Sequence, residues 1–262
     1  MAELISISRY VVKGLSPESL QSATLKTGRG IEDDRRYALA LADTVFDETD
    51  PRPLPKTKFV MLARYARLMG LKSRYDAPSA TLSLRDGETL LASGRLDEAS
   101  GREAIEATVE HFMRGEIGGR PRLVQAAGHR FTDVSVASPE MMEAVSLINL
   151  ASVRSLEAKL GTVVDPRRFR ANLVVDGLEP WVEFTWIDRM VRIGDACFRG
   201  ARRTRRCAAT EVNPDNGERD IEVPAELHKH FAHADMGVYL YVRSDGAIAL
   251  GDAVAAAIEE VF

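Results

Sequence analysis

The stretch RMVRIGDACFRGARRTRRC, residues 189–207, joins two β-prone segments to an unusual concentration of charge. Its first part, residues 189–201, predicts short strands around a Gly-Asp turn. Five of the eight residues 199–206 are arginine, and Cys207 follows directly. The whole chain is acidic, with a formal net charge of -4. The sequence therefore gathers positive charge beside one of its two cysteines.

Composition limits the classes of protein to consider. The 262 residues, 45% hydrophobic and 28% charged, are typical of a globular chain with one large or two small domains. Cys197 and Cys207 make neither a disulfide framework nor a paired CxxC zinc motif, so we expect a reducing compartment, the cytoplasm. Residues 1–14 lack the apolar region of a signal peptide, and no run of 18 apolar residues predicts a membrane helix. An acidic chain also argues against nucleic-acid binding.

Short strands and tight turns dominate the secondary structure that the sequence predicts. Asp86-Gly87 and Asp245-Gly246 are each predicted to turn a β-hairpin, because Asp-Gly between β-prone runs is typical of such turns. The other predicted strands are LISISRYVV (4–12), ATLKTGRG (23–30), RRYALALAD (35–43), ANLVVDG (171–177) and GVYLYV (237–242).

A few helices accompany the strands. The first is expected to begin at an Asp97 or Ser100 cap, the second to begin at Asn149 and end at Gly161, and the third to cover residues 224–235. The apolar faces of the first two helices are formed by Ile105, Val109, Phe112, Met113, Leu150, Val153, Leu156 and Leu160.

These elements predict a mostly β, α+β fold made of two small β-barrel-like domains with a few peripheral helices. The segment RGEIGGRPR, residues 114–122, is rich in glycine and polar residues, and we place the boundary there. The predicted domains are residues 1–118 and 119–262.

Cys207 has two interpretations. An isolated free cysteine often packs as a small core residue. Cationic neighbours, however, favour the thiolate, which is the form that binds metal. If the strand continues through this segment, Arg203 and Arg205 share a face with Cys207. Arginine also binds phosphate in a bidentate way, so the segment suits a ligand that carries both a soft metal and a phosphate.

A second basic cluster precedes another predicted strand, in DPRRFRANLVV, residues 165–175. On a strand, Arg170 and Asn172 would share a face. Asn172 offers both a donor and an acceptor, as recognition of a heterocycle edge requires. A solvated basic surface is the alternative interpretation of either arginine cluster.

The order of these motifs resembles the MOSC domain, which is shared by the molybdenum cofactor sulfurase C-terminus and the mitochondrial amidoxime-reducing component. Residues 10–40 resemble the MOSC N-terminal β-barrel domain through YVVKG and DDRRYALA. The motifs that carry the resemblance in the second half are RFRANLVV (168–175), IGDACFRG (193–200), RRCAATEVNPDNG (205–217), GVYLYV (237–242) and IALGD (248–252).

The resemblance implies particular site residues. Cys207 matches the cysteine that ligates molybdenum in the family and would be the catalytic residue. The residues that match cofactor-binding positions are Lys13, Gly14, Arg36, Asn149, Leu150, Arg170, Asn172, Arg205, Arg206 and Tyr239.

The resemblance also implies a function. We expect a molybdenum-cofactor oxidoreductase that reduces N-hydroxylated or other N-oxygenated small molecules. Iron–sulfur cysteines are missing from the sequence, so electrons would come from a separate flavin or iron–sulfur reductase, and neither nucleic acid nor membrane is an expected partner. The alternative is a sulfur carrier or a cofactor-delivery module that uses the Cys207 thiolate.

Other residues carry weaker signals. His228, His230 and His233 lie on a predicted helix, where two of them share a face but no third metal ligand is evident. Residues 129–135 contain His, Asp and Ser without the strained turn of a hydrolase, and this loop is expected near the cofactor. Residues 32–34 are interpreted as a charged turn, and Cys197 as a core residue.

Overall fold

The computed structural model describes residues 1–258. Its four α-helices are α1 Ala99–Phe112, α2 Pro139–Met142, α3 Leu150–Leu160 and α4 Val223–Phe231. Its strands are β1 Glu3–Arg9, β2 Glu18–Leu20, β3 Ser22–Leu25, β4 Tyr37–Ala40, β5 Leu71–Asp76, β6 Thr81–Asp86, β7 Thr89–Arg95, β8 Arg122–Gln125, β9 Val145–Asn149, β10 Leu173–Asp176, β11 Met190–Ile193, β12 Ala196–Arg205, β13 Asp235–Val242, β14 Gly246–Ala249 and β15 Val254–Ile258. No helix in this part of the chain is long and apolar enough to cross a membrane.

An eight-stranded sheet forms the larger half of the molecule, in the order β15-β11-β12-β13-β9-β10-β1-β2. The sheet curls, because the start of β1 meets the segment that leads into β15. The Leu4 N–H donates to the Asp252 carbonyl at 2.9 Å, and the Gly251 N–H donates to the Leu4 carbonyl at 2.8 Å. The predicted class, α+β and mostly β with barrel-like curvature, is confirmed.

Smaller sheets complete the fold. Strands β5, β6 and β7 form an antiparallel meander, β4 pairs with β8, and β3 pairs with β14. The meander, β4, β8 and α1 enclose one hydrophobic core, which includes Leu39, Leu84 and Ile105. The curled sheet encloses a second core, which includes Phe198 and Leu240.

The first 30 residues contribute to both cores. Leu4 and Ile7 of β1 pack in the core of the curled sheet, whereas Val11 and Val12 pack in the other core. Strand β1 pairs with β10, with partners such as Glu3 and Asp176 or Ile7 and Leu173 from distant parts of the chain. The boundary at residue 118 stays a prediction, and the N-terminal strand belongs by its pairing to the sheet of the C-terminal half.

The ends of two helices, α1 and α3, test the predicted capping residues. Asn149 caps α3, accepting a hydrogen bond from the Ala151 N–H at 3.0 Å, and Gly161 ends the helix in the left-handed region at φ 67°. Helix α1 begins after Glu98 without a side-chain cap. The predicted cap at Asp97 or Ser100 is wrong, because both Asp97 oxygens accept hydrogen bonds from Arg95 and Ser100 lies inside the helix.

The two predicted hairpins have different outcomes. Asp86-Gly87 connects β6 to β7, as predicted. Strand β14 after Asp245, however, pairs with β3 rather than with β13. The carboxylate of Asp245 accepts hydrogen bonds from the Thr27 N–H at 2.8 Å and from the Lys26 ammonium at 2.9 Å. Those bonds tie this turn to the end of β3.

Gly237 generates a prediction about packing of the central strand β13. Its φ is +76°, and a Cβ there would lie 2.1 Å from the Leu147 carbonyl oxygen on β9. Gly128 has a similar φ of +69° with nothing within 4 Å of a Cβ. We expect Gly128→Ala to lower the free energy of unfolding by about 1 kcal/mol, from backbone strain alone. Gly237→Ala should lower it by at least about 2 kcal/mol more, because β9 must move. Urea unfolding followed by circular dichroism measures both, and equal losses would contradict the packing described.

Candidate functional site

A cleft of about 450 Å³ lies between the two cores, where the end of β12 faces segments of the N-terminal half. It brings together most of the residues that the sequence singled out. Those that line it are Lys13, Gly14, Arg170, Asn172, Arg205, Arg206, Cys207 and Tyr239.

The end of β12 presents consecutive residues to the cleft. A regular strand would alternate its side chains. The pairing of β12 with β13 shifts register twice, between Gly200 and Arg202 and again between Arg203 and Arg205. Such bulges re-aim side chains, and the strand ends before Cys207. All six residues 202–207 therefore line the cleft, and the expected alternation of arginine and cysteine on one face is wrong.

Two arginines from opposite halves of the chain meet at one tyrosine. The guanidinium carbon of Arg35 lies 4.7 Å from the centroid of the Tyr10 ring, and that of Arg170 lies 4.4 Å from it. Arg35 also donates to the Arg170 carbonyl at 3.1 Å and to the Asp34 carboxylate at 2.5 Å. Cation–π attraction and one carboxylate thus hold two like charges side by side.

The backbone at both arginines is strained. Arg35 has φ 52° and Arg170 has φ 49°, in the left-handed region that side chains other than glycine rarely adopt. Arg170 therefore precedes β10 rather than lying on it, so the predicted shared strand face with Asn172 is wrong. Strain of about 1–3 kcal/mol per residue persists only where surrounding contacts enforce it. Here the Tyr10 contacts supply that enforcement.

Arg170 keeps donors for a ligand. One of its terminal nitrogens donates to the Leu15 carbonyl at 2.7 Å. Among residues 1–258, no hydrogen-bond acceptor meets its Nε or its other terminal nitrogen. Burial lowers the pKa of Arg170 below its ordinary value, with nearby Arg35 acting in the same direction. An anion in the cleft would relieve this unfavourable burial of charge.

Asn172 is buried, and its polar atoms are largely occupied within the protein. Its amide oxygen accepts from the Ser146 hydroxyl at 2.8 Å and from the Ser146 N–H at 3.1 Å. Its amide nitrogen donates to the Ser8 carbonyl at 3.1 Å. The side chain therefore joins β1, β9 and β10 beneath the cleft, and its contribution to ligand recognition stays a prediction.

Cys207 contacts a network of charged side chains. The Lys56 ammonium donates to the Cys207 Sγ at 3.2 Å and to the Asp133 carboxylate at 3.3 Å. The other Asp133 oxygen accepts from the Lys13 ammonium, which also donates to the Phe131 carbonyl at 3.0 Å. Lys13 is 7% exposed, and Cys207 is half-buried at the start of a 3-10 helix. The sulfur thus has a fixed cation beside it.

Burial and neighbouring charges shift the pKa values of these side chains in opposite directions. Burial alone would raise the pKa of Asp133, but the charges of Lys13 and Lys56 outweigh it and hold that pKa well below its usual range. Burial lowers the pKa of Lys13, although Asp133 opposes the change. Burial would also lower the pKa of Lys56, but Asp133 and Cys207 raise it overall. Asp133 therefore stays ionised and Lys56 stays charged at neutral pH.

Two further arginines are anchored to the backbone. Arg206 donates to the Phe169 carbonyl at 2.8 Å and to the Met236 carbonyl at 2.9 Å. Burial lowers its pKa to about 10, so it remains cationic at neutral pH. Arg168 donates to both Asp220 oxygens, at 2.6 and 2.8 Å, and to the Glu211 carbonyl at 3.0 Å. These two side chains hold the cleft wall in place.

The cleft is strongly cationic. Within residues 1–258, nine lysine or arginine side chains line it, and Asp133 is the one carboxylate among the lining residues. The chain as a whole carries a formal charge of -4. Charge of one sign in a concave site attracts ligands of the other sign. The geometry therefore suits an anionic ligand that reaches a cysteine sulfur.

Three predicted site residues lie elsewhere. Arg36 is exposed, donates to Asp33 at 2.8 Å and faces a separate surface cavity. Its neighbour Arg35 occupies the cleft instead. Asn149 is fully buried, donates to Glu183 at 3.1 Å and caps α3, while Leu150 packs in the core beneath that helix. The expectation that Arg36 lines the cleft is therefore wrong. Asn149 and Leu150 do not line it either, and their binding of the cofactor stays a prediction.

The structure also shows the positions of the residues that carried weaker signals in the sequence. Asp133, in the loop of residues 129–135, lines the cleft as expected. His230 pairs with Glu226 at 3.2 Å on α4, and His233 accepts from the Asp235 N–H at 3.2 Å. Cys197 is half-buried in β12 and does not line the cleft, so it is more exposed than the predicted core position.

The charged turn at residues 32–34 holds an unexpected structural group. Asp34 is 5% exposed and accepts a hydrogen bond from the Tyr10 N–H at 2.8 Å. The turn therefore supports the arginine pair rather than simply facing solvent.

Sequence reasoning missed Lys56, Arg35 and Tyr10. Arg35 had a signal, the Arg-Arg pair before Tyr37, but the motif did not determine which arginine turns inward. Tyr10 lies three residues before Lys13 in the YVVKG motif. Lys56 begins a three-residue 3-10 helix that has no recognisable sequence pattern, and it reaches Cys207 across 151 positions of the chain.

Fold and site together define a class, a mostly β α+β protein with a cationic cleft that contains a cysteine. The family model described as "MOSC domain" matches residues 126–255. Residues 126–255 of this chain are therefore a MOSC domain. The matched segment contains Arg170, Asn172, the β12 arginines, Cys207 and Tyr239, whereas Lys13, Arg35 and Lys56 precede it.

Individual relatives agree with this family. Mitochondrial amidoxime reducing component 2 of Rattus norvegicus is 32% identical over 122 residues, covering 42% of this chain and 36% of that protein. Molybdenum cofactor sulfurase of Drosophila mojavensis is 42% identical over 78 residues, covering 29% of this chain and 10% of that protein. The chain thus spans about a third or less of the length of these two relatives.

A solved structure of the YuaD protein from Bacillus subtilis covers 99% of this chain and 98% of its own. The TM-score is 0.42 and the identity is 11%, a similarity too weak to support a further conclusion.

The ionised Asp133 generates a prediction about pH. Its depressed pKa means that it stabilises the fold above its unfolded-state pKa of about 4 and loses this effect as the pH falls further. Asp133→Asn should therefore lower the free energy of unfolding at pH 7, and the difference from wild type should shrink below about pH 4. Asp50→Asn, which removes an exposed pair with Arg52, should change little. Urea unfolding at several pH values measures both variants, and a difference that is independent of pH would refute the assignment.

Proposed function

We propose that this chain binds the molybdenum cofactor in the cationic cleft, with Cys207 as the metal ligand. The observation that carries the proposal is the combination of nine cationic side chains and one cysteine sulfur around a single cleft. The cofactor is an anionic, phosphate-bearing pterin whose metal accepts a thiolate. The name of one relative that matches this chain, a molybdenum cofactor sulfurase, supports the same ligand.

Different residues of the cleft would bind different parts of this ligand. Arg170, with free donors and with Arg35 beside it, would bind the phosphate in a bidentate way. Arg205 is exposed at the cleft and would contribute a further donor. Lys13, Gly14, Asn172, Arg206 and Tyr239 form the surrounding walls. Lys56 would keep a positive charge next to the Cys207 sulfur, where the anionic ligand would bind.

The proposed reaction is the reduction of N-hydroxylated or other N-oxygenated small molecules. The bound cofactor supplies two-electron oxygen-atom transfer chemistry. The electrons come from a separate flavin or iron–sulfur reductase, because the chain's two cysteines are both single thiols. Unpaired thiols also suit the cytoplasm, where we place the protein.

The Lys56–Cys207 contact also favours a second candidate function, that of a sulfur carrier. A cation 3.2 Å from the sulfur would stabilise the terminal sulfur of a Cys207 persulfide as it would a metal-bound thiolate. In that case the cleft delivers sulfur, or the cofactor itself, to another protein. The two functions use the same residues, and turnover distinguishes them.

The experiment is purification from a host that makes the cofactor, followed by three measurements. These are the ratio of molybdenum to protein, the pterin fluorescence after oxidation, and the reduction of an amidoxime with an artificial electron donor. Molybdenum, pterin and turnover together support the oxidoreductase. Cofactor without turnover, with persulfide on Cys207, supports the carrier. Protein that contains neither molybdenum nor pterin refutes cofactor binding.

The two cysteines provide a matched test of the metal ligand. Cys207→Ser replaces a soft thiolate with a harder, much less acidic donor, so activity per bound molybdenum should fall by at least about tenfold even where pterin is retained. Cys197→Ser, on β12 and outside the cleft, should keep normal activity. Reduction with a chemical electron donor, divided by molybdenum content, is the measurement. Near-normal activity in Cys207→Ser would show that Cys207 is not the ligand.

Arg170 generates a graded prediction about cofactor retention. Arg170→Ala removes a charged hydrogen-bond donor from the cleft and should weaken retention by about 2 kcal/mol or more. Arg170→Lys keeps the charge without the bidentate fork, so it should weaken retention less. Arg36→Ala, which removes a cation outside the cleft, is the control and should match wild type. Molybdenum content after gel filtration measures all three, and equal content in the Arg170 variants and wild type would contradict the assigned role.

A further inference from the structure

Arg202 and Arg203 form an exposed rim at the opening of the cleft. Both line the cleft while remaining more than a third exposed, so they border solvent. Within residues 1–258, neither forms an ion pair with a carboxylate. Arg199, earlier on the same strand and outside the cleft, pairs with Asp188 at 2.8 Å. Unpaired arginines in an acidic chain point to a negative group that arrives from outside.

Aromatic rings hold both rim arginines in place. The guanidinium carbon of Arg203 lies 4.3 Å from the centroid of the Phe184 ring, and that of Arg202 lies 6.0 Å from the centroid of the Tyr239 ring. A guanidinium that rests on an aromatic face keeps the N–H groups of its edge free. These groups match the two oxygens of a carboxylate or phosphate. The rim is therefore preorganised for a carboxylate or a phosphate.

The rim supplies charge beyond what the inner cleft uses. Arg168 and Arg206 are bonded to backbone carbonyls, and Lys13 is bonded to Asp133. The proposed cofactor phosphate is assigned to the inner pair, Arg35 and Arg170. The two rim arginines remain for a second negative group on the route to Cys207.

We infer that the substrates of this site are anionic, carrying a carboxylate or phosphate in addition to the N-oxygenated group that is reduced. The inference rests on the proposed function. The rim arginines bind the anionic group and orient the substrate toward the inner cleft. They lie in the wall of the same cavity as Cys207, so a small molecule bound in this cavity is close to both the sulfur and the rim arginines.

The test compares two aryl amidoximes, one neutral and one with a carboxylate on the ring, on molybdenum-loaded protein with an artificial electron donor. In wild type we expect kcat/KM to be about tenfold higher for the carboxylate, mainly through KM. Raising the ionic strength from about 0.02 M to about 0.5 M should reduce this preference, because exposed charges are screened.

Variants assign the preference to the rim. The double variant Arg202→Gln with Arg203→Gln should remove the preference, so that kcat/KM per bound molybdenum for the carboxylate-bearing amidoxime falls to that for the neutral amidoxime. Arg199→Gln, on the same strand, should leave both substrates unchanged. Calorimetric binding of the two amidoximes to the loaded protein should show the same preference without turnover.

The outcomes separate this inference from the proposed function. Loaded wild type that reduces neither amidoxime refutes the oxidoreductase, while calorimetry still tests the anion preference. Equal kcat/KM and equal binding of the two amidoximes in wild type overturn the inference. A double variant that keeps the preference also overturns it. A defect that appears with a protein electron donor but not with the artificial donor assigns the rim to partner docking, and that result likewise contradicts a substrate role.

Discussion

The contact of Tyr10 with Arg35 and Arg170 is the interaction on which the site depends. Two guanidinium groups within 5 Å of one ring centroid repel each other, and burial makes both charges unfavourable. The ring faces, the carboxylate of Asp34 and the bonds to backbone carbonyls offset this cost. Because the arginines come from opposite halves of the chain, the same contact joins the halves around the cleft.

Strain and charge are concentrated where a ligand would relieve them. Arg35 and Arg170 adopt left-handed backbone angles, and the burial of Arg170 lowers its pKa. Hydrogen-bond donors that are already held in position lose little conformational entropy when a ligand binds. The cleft is therefore prepared for an anion by the folding of the protein. Because the chain as a whole is acidic, its positive charge is concentrated at the cleft.

Much of this architecture follows from local sequence signals. The α3 cap at Asn149 and its end at Gly161 were predicted, because capping depends on a few adjacent residues. The Asp86-Gly87 hairpin was predicted for the same reason. Pairing of β14 with β3 was missed, since pairs of strands more than 200 positions apart leave no local pattern. The inward arginine was assigned to Arg36 rather than Arg35, because a motif does not show how a left-handed turn directs neighbouring side chains.

The sequence by itself determined the class of fold, the family resemblance and most of the cleft, through the residues around Arg170 and the arginines before Cys207. Those features depend on residue type and order, which a motif records. The tertiary structure alone decided that Lys56 meets the Cys207 sulfur and that Tyr10 holds two arginines together. The Lys56–Cys207 contact and the Tyr10–Arg170 contact each join segments from opposite halves of the chain. Such contacts exist only once the two cores have packed.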